Sequence, residues 1–513
     1  MAPPSRRATF VGGLWSVASI VFPLISTLLL SIVIARRLGS TELGAQSVIA
    51  YVGSSVAGVV VFAATRCAMQ VMAAAHGRGD SGQQAALDRL SQRVHVAGGA
   101  VAGLGIAGVG TFRDHALSWA LIGLVTFIDA VGWSHGASLI AQHGWRAVSP
   151  LRLMSQIVAA LLGVLAILLG GGIAWVFAVQ VLTSTWLTAT LRRRDRRTRS
   201  IDDAAPSPLT LRPLGRLWLL FVLLMLLSQV VDKRMELLFL DAFGSAHDVA
   251  VYAVAFSLVT VAVTVPTSLA GAAIPGIAAA GAADASGNLT AHLRRASRLA
   301  SATACFLTAG LAALGPSVVV LFWGPALQDA AAILPWMAIS VVFVPIRALY
   351  DAYWTGVGRL PPVLLATGAG ALVDIVVAAA FVPHFGIAGA VGANVAAQVV
   401  VCGLLVGYTR RHAPEVRTPG RQLVRSGAPA LVAGAAGWLA AEACAGAGPL
   451  VALVAGAGAF LVVVVVVGLG VGLVRPGDAD WLADTLPAAA RPALVAVGGM
   501  GWARSRRVPE PVG

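Results

Sequence analysis

The sequence predicts an all-α polytopic membrane protein of about fourteen transmembrane helices, built as two parallel six-helix lobes plus two C-terminal helices. Three observations predict it. Long apolar runs recur along the whole chain, arginine fills alternate gaps between them, and a weak internal repeat returns after six runs.

In chain order, the first six runs are Gly12–Ala35, Ala45–Thr65, Val94–Phe112, Ala116–Ile140, Leu151–Leu169 and Ile173–Leu191. Each is long enough to cross about 30 Å of hydrocarbon as a helix. The second six are Leu217–Leu240, Val249–Ala273, Leu299–Phe322, Ala331–Thr355, Pro361–Phe381 and Ile387–Tyr408. Leu423–Ala441 and Pro449–Leu473 complete the set. These runs divide the chain into a first lobe at 1–195, a proline-containing connector at 196–212 and a second lobe at 213–410. The added helices occupy 411–475, and a polar tail occupies 476–513, with a short interfacial helix expected around Trp481–Leu486. Pro23, Pro266, Pro275, Pro335 and Pro345 are expected to bend the helices that hold them.

Gaps after even-numbered runs are rich in arginine: Arg78, Arg89 and Arg93; Arg192 to Arg194; Arg294, Arg295 and Arg298; Arg410, Arg411 and Arg417. Arg146 and Arg152 fall in the gap after the fourth run, and Arg359 in the gap after the tenth. Gaps after odd-numbered runs hold only Arg36, Arg37 and Arg113. The positive-inside bias then places both termini and the arginine-rich loops in the cytoplasm, and one lysine against 35 arginines suggests a bacterial chain, hence its cytoplasmic membrane.

The repeat aligns Gly39, Ser40, Ala45 and Ala50 with Gly244, Ser245, Ala250 and Ala255. It also aligns Gly172-Ile173-Ala174 with Gly386-Ile387-Ala388. Six helices per copy is an even number, so both copies enter the membrane in the same direction.

Composition narrows the function classes. The chain is 58% hydrophobic and 11% charged, with a mean hydropathy of +0.85, which no soluble domain of 513 residues requires. The formal charge of +14 sits mostly in the arginine-rich loops, so it reports topology and attraction to anionic lipid rather than nucleic-acid binding. Cys67, Cys305, Cys402 and Cys444 are scattered without a CxxC pair, which implies neither a disulfide framework nor a zinc site. HExxH and Walker patterns are missing, so no enzyme class and no cofactor is indicated. Glycine pairs within the runs read as close helix packing.

Charges inside the runs each ask for a reason, because hydrocarbon charges several kcal/mol for them. The densest group is Asp232-Lys233-Arg234-Met235-Glu236, where Asp232 and Glu236 stand one turn apart on a single helix. It reads either as local ion pairing or as the lining of a wet cavity. Arg347 and Asp351 have i, i+4 spacing, which permits an intrahelical salt bridge. Asp129 and Asp374 have no cation nearby in sequence. Such a carboxylate is either protonated or paired across helices, and it is the usual candidate for coupling to H+ or Na+. Arg66 reads as a boundary anchor, while Arg36 and Arg37 either snorkel or attract an anionic group.

With these residues in view, the chain resembles a known family. Ala35-Arg36-Arg37-Leu38-Gly39 through Glu42 and Gly44 looks like the opening signature of polysaccharide-type flippases. Asp232 through Tyr252-Ala253, Phe322-Trp323-Gly324-Pro325, Thr355-Gly356-Val357-Gly358-Arg359 and Val382-Pro383-His384-Phe385-Gly386 follow that family's order. The likeness spans roughly residues 8–410. Family members have Tyr or Phe where Ala45 stands here.

The resemblance implies a member of the multidrug/oligosaccharidyl-lipid/polysaccharide exporter superfamily. Its members resembling this chain move polyprenyl-diphosphate-linked oligosaccharides to the outer leaflet by alternating access, in exopolysaccharide or lipopolysaccharide assembly. Glycan-assembly proteins would be its partners. A diphosphate head needs cationic partners in a wet cavity, which makes Lys233, Arg234 and Arg347 candidate contacts, with Arg36 and Arg37 on the release side. Asp129, Asp374, Asp232 and Asp351 are the candidates for a coupling ion. Rival readings are a lipid II flippase and a cation-coupled multidrug antiporter. A glycan polymerase or ligase is disfavoured, because the segments expected outside are short.

Overall fold

The structure is a computed structural model that describes residues 25–143, 147–198, 211–232, 235–282, 286–357, 359–414 and 420–471. All regular structure among the described residues is helical, and 13 helices there are long and apolar enough to cross a membrane. This is the predicted class. Most of the first expected span lies outside the described residues, as do the tail and residues 199–210 of the connector.

The first described helix, α1, covers 25–37. Gly39, at φ 93°, makes the sharp turn after it, a backbone conformation that favours glycine. α2 (Ser40–Ala57) continues through a five-residue π segment, Gly58–Phe62, into α3 (Ala63–Gly77). α4 (Ser81–Gly110) is capped by Asp80, whose Oδ1 accepts from the Gln83 amide at 2.8 Å. α5 (Ala116–His143), α6 (Ser149–Leu168) and α7 (Ile173–Thr198) complete the first half. α4 and α5 pack through glycine: a Cβ on Gly103 would stand 2.6 Å from the Gly123 carbonyl oxygen.

The predicted seventh run is two helices. α8 (Leu211–Asp232) ends, Met235 lies in a turn, and α9 (Glu236–Phe243) begins. Asp232 and Glu236 thus belong to two helices, α8 and α9, where a single helix was expected. α10 (Ala246–Ala282) and α11 (Ser286–Trp323) follow, each longer than its apolar run. The predicted tenth run is likewise divided, into α12 (Gln328–Ala338), a 3-10 stretch Ile339–Val342, and α13 (Val344–Gly356). Pro345 stands in the first turn of α13, where its missing N–H costs no helix bond. α14 (Pro361–Phe385), α15 (Ile387–His412), α16 (Gly420–Ala443) and α17 (Pro449–Val471) close the chain. The residues aligned by the second repeat match: α7 starts at Ile173 and α15 at Ile387.

The chain forms two compact units. The first comprises Met1–Ser257 and Thr367–Ala397, the second Leu258–Ala366 and Gln398–Gly513. In the first, Trp133, Leu139, Val148 and Leu191 form a core between α5, α6 and α7. In the second, α11, α16 and α17 pack together, with Gly437 admitting the Phe460 Cβ to within 3.1 Å of where a side chain would start. Outward-facing apolar residues such as Val101, Leu104, Leu365 and Leu431 are each more than 70% exposed, the pattern of a surface that meets lipid.

Candidate functional site

The first unit holds the most unusual chemistry. Glu236, the first residue of α9, and Asp374, midway along α14, are both 1% exposed. Their carboxyl groups face each other, with the Asn394 amide of α15 and the Tyr252 hydroxyl of α10 turned towards Glu236. All four carboxylate oxygens are buried without a hydrogen-bond partner at contact distance. Two adjacent carboxylates in a low-dielectric interior are costly unless a positive charge stands with them. The donor set is two carboxylates, an amide and a phenol. The carboxylates supply oxygens, which suit protons or a hard monovalent cation better than a transition metal, and the amide and phenol stand as hydrogen-bond donors to Glu236. The start of α9 adds a favourable helix-end field for the Glu236 carboxylate.

Asp374 was an expected ion-coupling residue; Glu236, its partner, was not. Asp232 ends α8 and is half-buried. Lys233 and Arg234 lie outside the described residues.

Asp129 is paired across helices. It takes a hydrogen bond from Ser184 of α7 and sits within Coulombic reach of Arg152 of α6, whose guanidinium lies 5.0 Å from the Trp133 ring centroid. Arg152 is the fourth residue of α6 and falls within the expected fifth span, Leu151–Leu169. Asp195 lies beyond the expected sixth span, Ile173–Leu191, yet within a helix. α7 runs past its apolar stretch to Thr198, and Asp195, 1% exposed, accepts from His135 Nδ1 at 2.8 Å.

In the second unit, Arg347 is 8% exposed. Its Nη1 donates to Gln398 Oε1 at 3.0 Å, and its Nε is 3.5 Å from Asp351 Oδ2. The predicted i, i+4 pair therefore exists, and the guanidinium is engaged by protein groups. Trp354 stacks edge-on against Tyr353 and Tyr408, both at 4.9 Å, and donates to Thr409 Oγ1 at 3.0 Å.

Arg66, expected as a boundary anchor, is exposed. It sits inside α3 and, with Gln70, Met69, Ile140 and Phe221, lines a cavity of about 360 Å³ in the first unit. Arg36 and Arg37 are exposed at the end of α1.

At the arginine-poor ends of the first unit's helices, the two halves of the repeat touch. Arg113 pairs with Asp241 and Ser40 Oγ lies 3.0 Å from His247 Nδ1, while Glu42 lies 3.9 Å from His115 within the first copy. A Cβ on Gly44 would overlap the Ala246 carbonyl oxygen. Ser40 and Gly44 belong to the first copy's opening motif and His247 to the second's, so equivalent stretches of the repeat meet.

No protein-family model matches the chain, and no curated protein matches it. Solved structures do. The lipid II flippase MurJ, in an inward closed conformation, superimposes with a TM-score of 0.66 at 14% identity over 89% of this chain and 98% of its own. An inward-facing multidrug resistance MATE transporter of the MOP superfamily gives 0.65 at 16% identity over 78% and 98%. A MOP superfamily transporter from Pyrococcus furiosus gives 0.55 at 16% identity over 79% and 95%. The fold is that of the MOP superfamily transporters.

Proposed function

We propose that the chain is an alternating-access flippase that carries a polyprenyl-diphosphate-linked oligosaccharide, or a related cell-envelope glycolipid, from the cytoplasmic to the outer leaflet. Entry of H+ or Na+ at Glu236 and Asp374 drives it. The observation that carries this reading is the buried acidic pair with unsatisfied oxygens, lodged where α9, α14 and α15 converge. A protein with no transport cycle gains nothing from such a pair, and removing its charges is cheap. The cation pays for the buried charge in one conformation and leaves in the other, which is how ion binding biases a two-state equilibrium. Arg66 and Gln70, facing a cavity, supply the cationic and hydrogen-bonding groups that a diphosphate head needs, alongside the candidates Lys233, Arg234, Arg36 and Arg37.

Export of lipid II is the second reading, favoured by the likeness to MurJ over nearly the whole of both chains. A cationic-drug antiporter is less well supported, since the Arg66 cavity repels cations.

The test is leaflet-specific labelling of lipid-linked glycans in cells lacking the gene. Loss of outer-leaflet glycan, restored by the wild-type protein and not by Glu236→Gln/Asp374→Asn, supports the reading. Normal outer-leaflet glycan in the deletion sinks the substrate. Normal export by the double variant with ion gradients collapsed sinks the coupling. Recovery of lipid II export in a strain lacking its own flippase selects the second reading.

A further inference from the structure

α3 carries two unlike faces. Arg66 and Gln70 line the cavity already described, whereas the opposite face, with Cys67 and Ala68, walls a second cavity of about 280 Å³. Its other walls come from α4, including Leu90 and His95, and from α8, including Gly215 and Trp218. All three helices belong to the first unit.

The lining decides what fits there. His95 is the most polar side chain in the wall, and both its ring nitrogens are spent: Nε2 on Thr65 Oγ1 at 3.0 Å, Nδ1 on the Ser91 carbonyl at 2.8 Å. The Ser91 hydroxyl lies 3.3 Å from the same ring. What remains towards the cavity is carbon and the Cys67 sulfur. A cavity of this character does not hold water and takes an apolar guest. Trp218, 39% exposed, and Val94, 37% exposed, stand on its rim, so the cavity opens to the lipid side. An indole is the side chain most at home where chain meets headgroup.

Charge specifies the guest further. The turns of α4 and α8 that supply lining residues also carry Arg89, Arg93, Arg212 and Arg216, all exposed. The acid among them, Asp88, is buried and takes the Gln92 amide at 3.0 Å. An apolar chamber under a basic rim matches a phosphate headgroup with an acyl chain below it.

We propose that this cavity is a binding site for one anionic phospholipid of the leaflet at the arginine-rich ends, its acyl chain against Cys67 and Gly215 and its phosphate among the rim arginines. Its walls come from both copies of the repeat, α3 and α4 from the first and α8 from the second. A lipid that fills it therefore favours the arrangement in which α8 lies on α3 and α4. The binding does not depend on what the protein transports; only that conformational bias rests on the alternating-access reading.

The probes are phosphatidylglycerol and phosphatidylcholine with identical chains, and a polyprenyl phosphate, each added to the delipidated full-length protein and followed by native mass spectrometry. Wild type retains one phosphatidylglycerol about tenfold more strongly than phosphatidylcholine. Gly215→Leu, at a position whose Cβ has open space, fills the chamber and loses that retention. Arg212→Gln/Arg216→Gln keeps a lipid but loses the preference for the anionic one. In a Cys305→Ser/Cys402→Ser/Cys444→Ser background, phosphatidylglycerol slows N-ethylmaleimide alkylation of Cys67 and phosphatidylcholine does not, a readout that stands even if Gly215→Leu misfolds. Equal retention of the two phospholipids, full retention by a folded Gly215→Leu, unchanged Cys67 alkylation, or displacement by polyprenyl phosphate alone each overturns the proposal.

Discussion

Gly44 of α2 approaches Ala246 of α10 so closely that even a methyl group on Gly44 overlaps the Ala246 carbonyl oxygen. Beside this contact, Ser40 and His247 are in hydrogen-bond range at 3.0 Å. The two opening motifs of the repeat thus hold each other at their glycine- and serine-bearing ends. A side chain at 44 forces α2 and α10 apart, at a cost of about 1–3 kcal/mol. Ser40→Cys/His247→Cys should cross-link readily, and adding Gly44→Val should cut the yield severalfold. Equal yields with and without Gly44→Val would show that the contact is not tight.

Glu236 and Asp374 give a thermodynamic prediction. A cation that binds only the folded pair stabilises it by about 2.7 kcal/mol at a hundred times its dissociation constant. The unfolding temperature of the wild type should therefore rise in sodium chloride over choline chloride at equal ionic strength, or on acidification if the ion is a proton. Glu236→Gln/Asp374→Asn should be unresponsive to both. A wild type indifferent to sodium and to pH would remove the pair from any coupling role.

Asp129 and Arg152 compensate each other across α5 and α6. Asp129→Asn or Arg152→Met alone strands a partly buried charge and should cost about 1–3 kcal/mol. The double variant should cost less than the sum, because neither charge is left without the other. Strict additivity in thermal unfolding would show that the pair is not coupled.

Arg66 and Arg347 are separable by their surroundings. Arg66 faces a cavity, so Arg66→Gln should lower export about tenfold with normal insertion and stability. Arg347 is held by Gln398 and Asp351, so Arg347→Gln should lower stability together with export. Lys233→Gln/Arg234→Gln should abolish glycan export and leave insertion intact; export at the wild-type level would take both residues out of the substrate path.

Much of the architecture was readable because hydrocarbon imposes a coarse rule on composition. Apolar runs located the spans, and short glycine motifs fixed the starts of α7 and α15. Helix interruptions were not readable. The 3-10 stretch Ile339–Val342 lies in surroundings as apolar as a continuous helix, and Met235 lies in a charged cluster whose i, i+4 spacing fits a helix equally well. Charge also conceals helix: α7 continues past its apolar run to Thr198, so Asp195 lies within a helix and meets His135 of α5. Asp374 stood out as a lone carboxylate, but its partner Glu236 is far away in sequence and was hidden in a cluster that looked self-neutralising. Nothing local in the chain announces that α9 and α14 meet.

The π segment Gly58–Phe62 has a consequence for the register of everything after it. A π turn amounts to one residue inserted into an otherwise regular helix, and it advances the following helix by about 100°. Deleting a single residue there would leave a more regular helix of nearly the same length and hydropathy. It would also swing the two faces of α3 by a quarter turn or more, taking Arg66 off its cavity and Cys67 off the other. One surplus residue, costly to helix geometry and invisible to hydropathy, decides which side of α3 is wet and which is greasy.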